Sequence, residues 1–136
     1  MPPIAASRRR LAWSLAIARE ALPEGLVVFV TGRLGAPTSV RLASALDEIV
    51  SAGHSRLLLD LSGVDYLSSS GLAVVEMTAA RLKDSGGILV LCGLQEPVRV
   101  SFEVSGAAGH LILVETVDEG RRQIEASPAA VGARLS

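Results

Sequence analysis

The sequence predicts an α/β fold built on a mixed sheet, and three observations carry that prediction. Aliphatic and β-branched runs at residues 26–31, 57–61, 88–92 and 110–114 each have the length of a strand. Segments of helical length, apolar on one face, lie between them. Strands that alternate with helices need crossover connections, which make the central strands parallel and the connections right-handed.

A first strand is expected where Leu11, Trp13, Leu15 and Ile17 alternate with small residues. The preceding Arg8-Arg9-Arg10 resembles the start of a signal sequence. The apolar run nevertheless stops at Arg19-Glu20, too short to span a membrane, and no small-residue cleavage site follows it cleanly. A turn at Ala21-Leu22-Pro23-Glu24-Gly25 leads into Leu26–Thr31, so the chain opens with a hairpin that makes the sheet mixed at one edge. Residues 32–37 read as a loop, and Thr38 or Ser39 as the N-cap of a helix carrying Val40, Leu42, Ala43, Leu46, Ile49 and Val50 as one stripe.

Gly53 is placed to end that helix, and Arg56–Leu61 then reads as a strand covered on both faces. A turn should follow; Asp65 reads as turn chemistry at a strand end, and Asp60 reads either so or as a partner contact or negative wall beside Ser69. The second helix starts among Ser68, Ser69 and Ser70, carries Leu72, Val75, Ala79 and Leu82 inward, and ends at Gly86-Gly87. Arg81 and Lys83 suit the negative end of its dipole. Ile88–Cys92 is a further buried strand, and Pro97 fits the first position of a short helix containing Val98 and Phe102.

His110–Val114 closes the strands, and a last helix covers Asp118 to about Glu125. The result is one domain at residues 11–126, with a four- or five-stranded sheet under one layer of about four helices. Flexible segments are expected at 1–10 and 127–136.

Composition narrows the function. A chain of 136 residues can bury roughly 65–70% of its unfolded surface, so neither metal nor disulfide is needed for a core. The single cysteine, Cys92, lies in an apolar run and reads as a small buried hydrophobe. A net charge of −1 removes the electrostatic basis for tight binding to nucleic acid or anionic membrane. The four aromatics are too scattered for a base-stacking platform, which directs attention to a protein partner.

The segment Asp60-Leu61-Ser62-Gly63-Val64-Asp65-Tyr66-Leu67-Ser68-Ser69-Ser70-Gly71-Leu72 carries the chemistry. It delivers three hydroxyls to a helix start, where free N–H groups and the positive dipole end face outward. Capping needs only one of them. A serine nucleophile would need His54 or His110 as base and an oxyanion hole, and the leading glycine of a nucleophile elbow is missing before Ser68-Ser69-Ser70-Gly71. No phosphate-cradling glycine loop and no Cys/His cluster with metal spacing occurs, so no cofactor and no enzymatic activity are expected.

The same segment resembles the signature of the anti-sigma factor antagonists, bacterial members of the STAS domain family. Their pattern runs aromatic, apolar, Asp, Ser, Ser or Thr, Gly, Leu. Tyr66, Leu67, Ser69, Ser70, Gly71 and Leu72 match it position for position, and Ser68 stands where the family has Asp. The likeness extends through Val30-Thr31-Gly32-Arg33-Leu34, Gly86-Gly87, Pro97-Val98, Phe102 and Ser105-Gly106, about residues 24 to 125. Gly35 stands at the acidic end of the family's early loop motif, and the link Ala107-Ala108-Gly109-His110 is longer than usual.

The resemblance implies a STAS-like domain that, unphosphorylated, binds an anti-sigma factor with serine kinase activity and frees a sigma factor. Ser69 corresponds to the phosphoacceptor, with Ser70 as second choice, and a serine phosphatase would reset the switch. Leu67, Ser68, Ser70, Gly71, Leu72 and Ala73, with Gly35 and Ala36 from the neighbouring loop, form the implied docking patch. A cytoplasmic bacterial regulator of stress transcription follows from this reading. It contacts no nucleic acid, does not insert into a membrane, and allows a weak homodimer. The alternative within the family is a subunit of a membrane lipid ABC transporter, or of a stress-signalling scaffold, without a phosphorylation switch.

Overall fold

The computed structural model describes residues 14–127. Leu11, Trp13, the expected flexible segment 1–10 and the tail beyond Ser127 lie outside the described residues. The strand that Leu15 and Ile17 predict is β1, Leu15–Leu22. It pairs antiparallel with β2, Gly25–Leu34, and Leu22 stands opposite Gly25 across the two-residue turn Pro23-Glu24. The strands β3 (Arg56–Leu67), β4 (Ile88–Cys92) and β5 (Ile112–Val114) follow in the same spatial order, each parallel to its neighbour. The fold class is therefore α/β with a five-stranded mixed sheet, as the sequence predicts.

Among the described residues four α-helices cover it: α1 (Ala36–Ser51), α2 (Ser69–Asp84), α3 (Glu96–Ser105) and α4 (Val117–Ala126). The link after α3 winds into a 3-10 turn at Ala107–Gly109. Strand order runs from β1 to β5 without reversal, and right-handed crossovers then put α1, α2 and α3 on one face. Leu57, Leu59 and Leu61 of β3 enter that core with Leu42 and Leu46 of α1, Val75 and Leu82 of α2 and Phe102 of α3. Each is fully buried or nearly so, and burial of such a side chain contributes about 1.5–3 kcal/mol.

The expectation of a single layer of cover is corrected by α4. Among the described residues no strand follows it, so no crossover rule holds it to the crowded face. Ile124 packs instead beneath the sheet with Val27, Leu58, Val90 and Cys92. Gly120 lets this helix approach closely, since a Cβ there would stand 2.2 Å from Leu58 Cδ1.

Two further expectations are corrected near the serines. The predicted loop at 32–37 is mostly strand: β2 runs to Leu34, Gly35 is the N-cap of α1, and Thr38 is the third residue of its first turn. Neither Thr38 nor Ser39 is the N-cap. The predicted turn after Leu61 is also strand, because β3 continues to Leu67 through two irregularities. Between Phe29/Asp60 and Thr31/Gly63, and between Gly32/Val64 and Arg33/Tyr66, β3 spends one residue more than β2. Asp65 falls in the second extra position. Gly32 sits at φ 132°, a conformation that favours glycine, at the same irregularity.

Candidate functional site

The two bulges aim the end of β3 so that it closes beside the end of β2. Leu67 stands opposite Leu34, and the Ser68 N–H donates to the Leu34 carbonyl at 2.8 Å. Both strands therefore pass directly into helices, and the N-termini of α1 and α2 lie side by side at one end of the sheet. Asp60, buried at 9% exposure, holds the first bulge: its Oδ1 accepts from the Ser62 N–H at 2.9 Å.

The three hydroxyls separate in role. Ser68 has extended backbone, and its Oγ accepts from the Gly71 N–H at 3.2 Å, so Ser68 is the N-cap of α2. Ser69 and Ser70 occupy the first two helical positions, exposed and without a hydrogen-bond partner among the described residues. The α1 start closes differently. The Gly35 N–H donates to Thr38 Oγ1 at 2.9 Å, and that hydroxyl donates to the Arg33 carbonyl at 2.5 Å.

No acidic side chain occupies the first turn of α1 or α2, whereas Glu96 lies in that of α3 and Asp118 and Glu119 in that of α4. The positive dipole ends beside Ser69 are thus not offset by carboxylates of their own helices. On the strand rim, Arg33 and Tyr66 are register partners with the guanidinium 5.1 Å from the ring centroid, and Arg33 Nε lies 3.9 Å from Asp65 Oδ1. Both charged side chains are substantially exposed. Asp65 therefore faces a cation from a bulge and does not serve a turn. Arg33 and Tyr66 complete the rim that the serine motif alone did not mark. Only the register at Gly32, invisible in the sequence, brings them together.

The expected docking residues divide by depth. Ala36, Ser70 and Ala73 are exposed, and Leu72 and Ser68 are half-buried. Gly35, Leu67 and Gly71 are buried and support the patch from below. A Cβ at Gly71 would meet Leu67 Cδ1 at 2.7 Å and Leu34 Cβ at 3.0 Å, so this glycine sets how closely α2 sits on the strand ends.

His54 is exposed and lies just before β3, at the opposite end of a 12-residue strand from Ser69, a separation of roughly 35 Å at ordinary strand rise. It cannot act as a base on these serines. His110 is exposed beside the flank of α2. Cys92 is fully buried, and burial, with Asp60 beside it, pushes its thiol up to about 12. Among the described residues no group of His, Cys, Asp and Glu could hold a metal ion, and no helix is long and apolar enough to cross a membrane.

Known proteins are similar to this chain in sequence and fold. Residues 17–115 match the family model described as Mlab, STAS domain. BtrV of Bordetella bronchiseptica, a candidate anti-sigma factor antagonist, is 40% identical over 81 residues, which cover 60% of this chain and 70% of BtrV. Among solved structures, an anti-sigma factor antagonist from Mycobacterium paratuberculosis superposes with a TM-score of 0.75 at 24% identity, covering 82% of this chain and 94% of that one. The Bacillus cell fate determinant SpoIIAA in its phosphorylated form superposes with a TM-score of 0.63 at 17% identity, covering 80% and 99%. At these identities the two structures establish a common fold.

Proposed function

The chain belongs to the STAS domain family, and from that premise we propose that it is an anti-sigma factor antagonist switched by phosphorylation of Ser69. Unphosphorylated, it binds an anti-sigma factor that carries serine kinase activity, and the sigma factor is released. Phosphorylation ends that binding, and a serine phosphatase restores it. The protein acts in the cytoplasm as a binding module without catalysis of its own.

The observation that carries this reading is the division of labour among the serines. With the cap supplied by Ser68, the Ser69 hydroxyl is exposed at the first position of a helix whose first turn holds no acid. In the transfer, Ser69 Oγ bonds to the γ-phosphorus of ATP, the bond to the β–γ bridging oxygen breaks, ADP leaves, and the hydroxyl proton passes to the kinase. The product carries about two negative charges where backbone dipoles tolerate them, so the fold is retained. A partner docked over Ala36, Ser70 and Ala73 must desolvate that dianion, at a cost of a few kcal/mol.

The reading is tested by incubating the protein with candidate anti-sigma kinases and ATP and mapping phosphate by mass spectrometry. Phosphate is expected on Ser69. Phosphate on Ser70 would keep the mechanism and move the site, and no phosphate with a kinase that binds the protein would overturn the switch.

A further inference from the structure

The serine patch supplies too few residues to hold a protein partner by itself. A specific interface takes about 20–30 residues from each side, whereas here Ala36, Ser70 and Ala73 are exposed and Leu72 and Ser68 half-buried. Among the described residues three surfaces border the patch. The strand rim carries Arg33 and Asp65, and the outer flank of α2 carries Glu76 and Lys83. The third is the groove between α1 and α2, an open depression of about 320 Å³. One helical turn on from Ala36 stands Val40, and one turn on from Ser70 stands Val74, so the groove continues the patch along both helices.

This surface is apolar along its length. Val40 and Met77, at 66% and 71% exposure, rise on opposite banks, with Ala43, Val74 and the buried Leu46 between them. Thr78 in the floor donates its hydroxyl to the Val74 carbonyl at 2.8 Å and so makes no demand on an occupant. At the far end Asp47 and Arg81 pair with each other at 2.5 Å, and Arg81 also donates to Ser51 Oγ at 3.1 Å. Arg41 and Glu48 project from α1 about a third of a turn away, and Asp84 lies past the Arg81 end. From Ala36 to that ion pair the groove runs about 16 Å, or three helical turns.

Interface centres are depleted of charge and enriched in Met and aromatic side chains, and a flexible thioether adapts to what it meets. Resting on the function proposed above, we infer that the groove is the second half of the same docking site: a helix of the anti-sigma partner lays an uncharged aliphatic or aromatic face between Val40 and Met77. Two adjacent helices present the trough that a ridge of a third one fills. Met77 lies about 12 Å along α2 from Ser69, so the groove supplies affinity in both states while phosphorylation acts at the serine end.

The test is titration calorimetry of the full chain with a purified anti-sigma kinase and nucleotide. Val40→Asp and Met77→Asp should each weaken binding about tenfold or more, Met77→Gln should weaken it in the same direction, and Met77→Leu should stay within about threefold. Both positions are exposed, so the urea midpoint should hardly move. Arg41→Glu and Lys83→Glu, on the faces turned away from the groove, should leave binding unchanged. Binding lost on Ser69→Glu yet within threefold for both aspartate variants would overturn the groove and leave the switch standing. Binding lost on Met77→Asp but indifferent to Ser69→Glu would keep the groove and overturn the switch. A loss on Lys83→Glu matching that on Met77→Asp would move the partner to the outer flank, and a dimer of the free chain that Met77→Asp abolishes would give the groove to a second copy; either overturns the inference. A chain that binds no anti-sigma kinase overturns both readings.

Discussion

Gly71 in the first turn of α2 lies flush against Leu34 at the end of β2: a Cβ on the glycine would stand 3.0 Å from Leu34 Cβ. The contact locks the start of α2 onto the strand that leads into α1, and so fixes the Ser69 hydroxyl relative to Ala36. Gly71→Ala is expected to destabilise by about 1–2 kcal/mol, the overpacking cost exceeding the gain in helix propensity. Urea unfolding checks this, and an unchanged or higher midpoint would contradict the close packing.

Ser68 supplies the cap through its side-chain oxygen, a role that Asp performs equally well. Ser68→Ala should cost about 1 kcal/mol, while Ser68→Asp should be at least as stable as the natural chain, because it keeps the cap and adds a charge at the positive end of the dipole. Thermal unfolding of the two variants checks the order. Equal stability of Ser68→Ala and the natural chain would remove the cap.

Cys92 gives the fold a dependence on alkaline pH. Its thiol is raised from the ordinary 9.0 to about 12 in the folded state, so the native protein keeps a proton that the unfolded chain loses. The contribution is fully present below pH 9 and is lost as pH rises toward 12, at about 1.4 kcal/mol per pH unit within that window. The stability difference between the natural chain and Cys92→Ala should shrink over this range. A difference constant from pH 8 to beyond pH 9.0 would contradict the buried neutral thiol. Thiol reagents should modify Cys92 only on unfolding.

Much of this was legible in the sequence, for identifiable reasons. Leu57–Leu61 and Ile88–Cys92 announce buried strands because both of their faces are apolar, and Gly53 and Gly86 mark helix ends where the backbone takes positive φ. The end of β3 was not legible. Ser62, Gly63 and Asp65 have the composition of a turn, yet the parallel pairing with β2 holds them in strand and absorbs the extra residues as bulges. The cap of α1 was missed because Thr38 has a cap's chemistry. Its hydroxyl does bond the start of the helix, but from the third position, and Gly35 takes the cap backbone. Nor could periodicity assign α4 to the opposite face, since amphipathicity gives a buried side without naming which sheet face receives it.

At the site, the serine motif located the helix start, and structure then assigned the cap to Ser68 and left Ser69 exposed. As cap candidates the three hydroxyls are alike in local sequence, and the backbone geometry at Ser68 assigns the cap.

The phosphorylation switch is measured most directly by the affinity of a purified anti-sigma kinase partner for three forms of the protein, by titration calorimetry in the presence of nucleotide. The natural chain and Ser69→Ala should bind alike, and Ser69→Glu or the phosphorylated protein should bind about 30- to 150-fold more weakly, equivalent to about 2–3 kcal/mol. Equal binding by the natural chain and Ser69→Glu, or stable co-purification with an ATPase subunit that is indifferent to Ser69→Glu, would contradict a switch at Ser69.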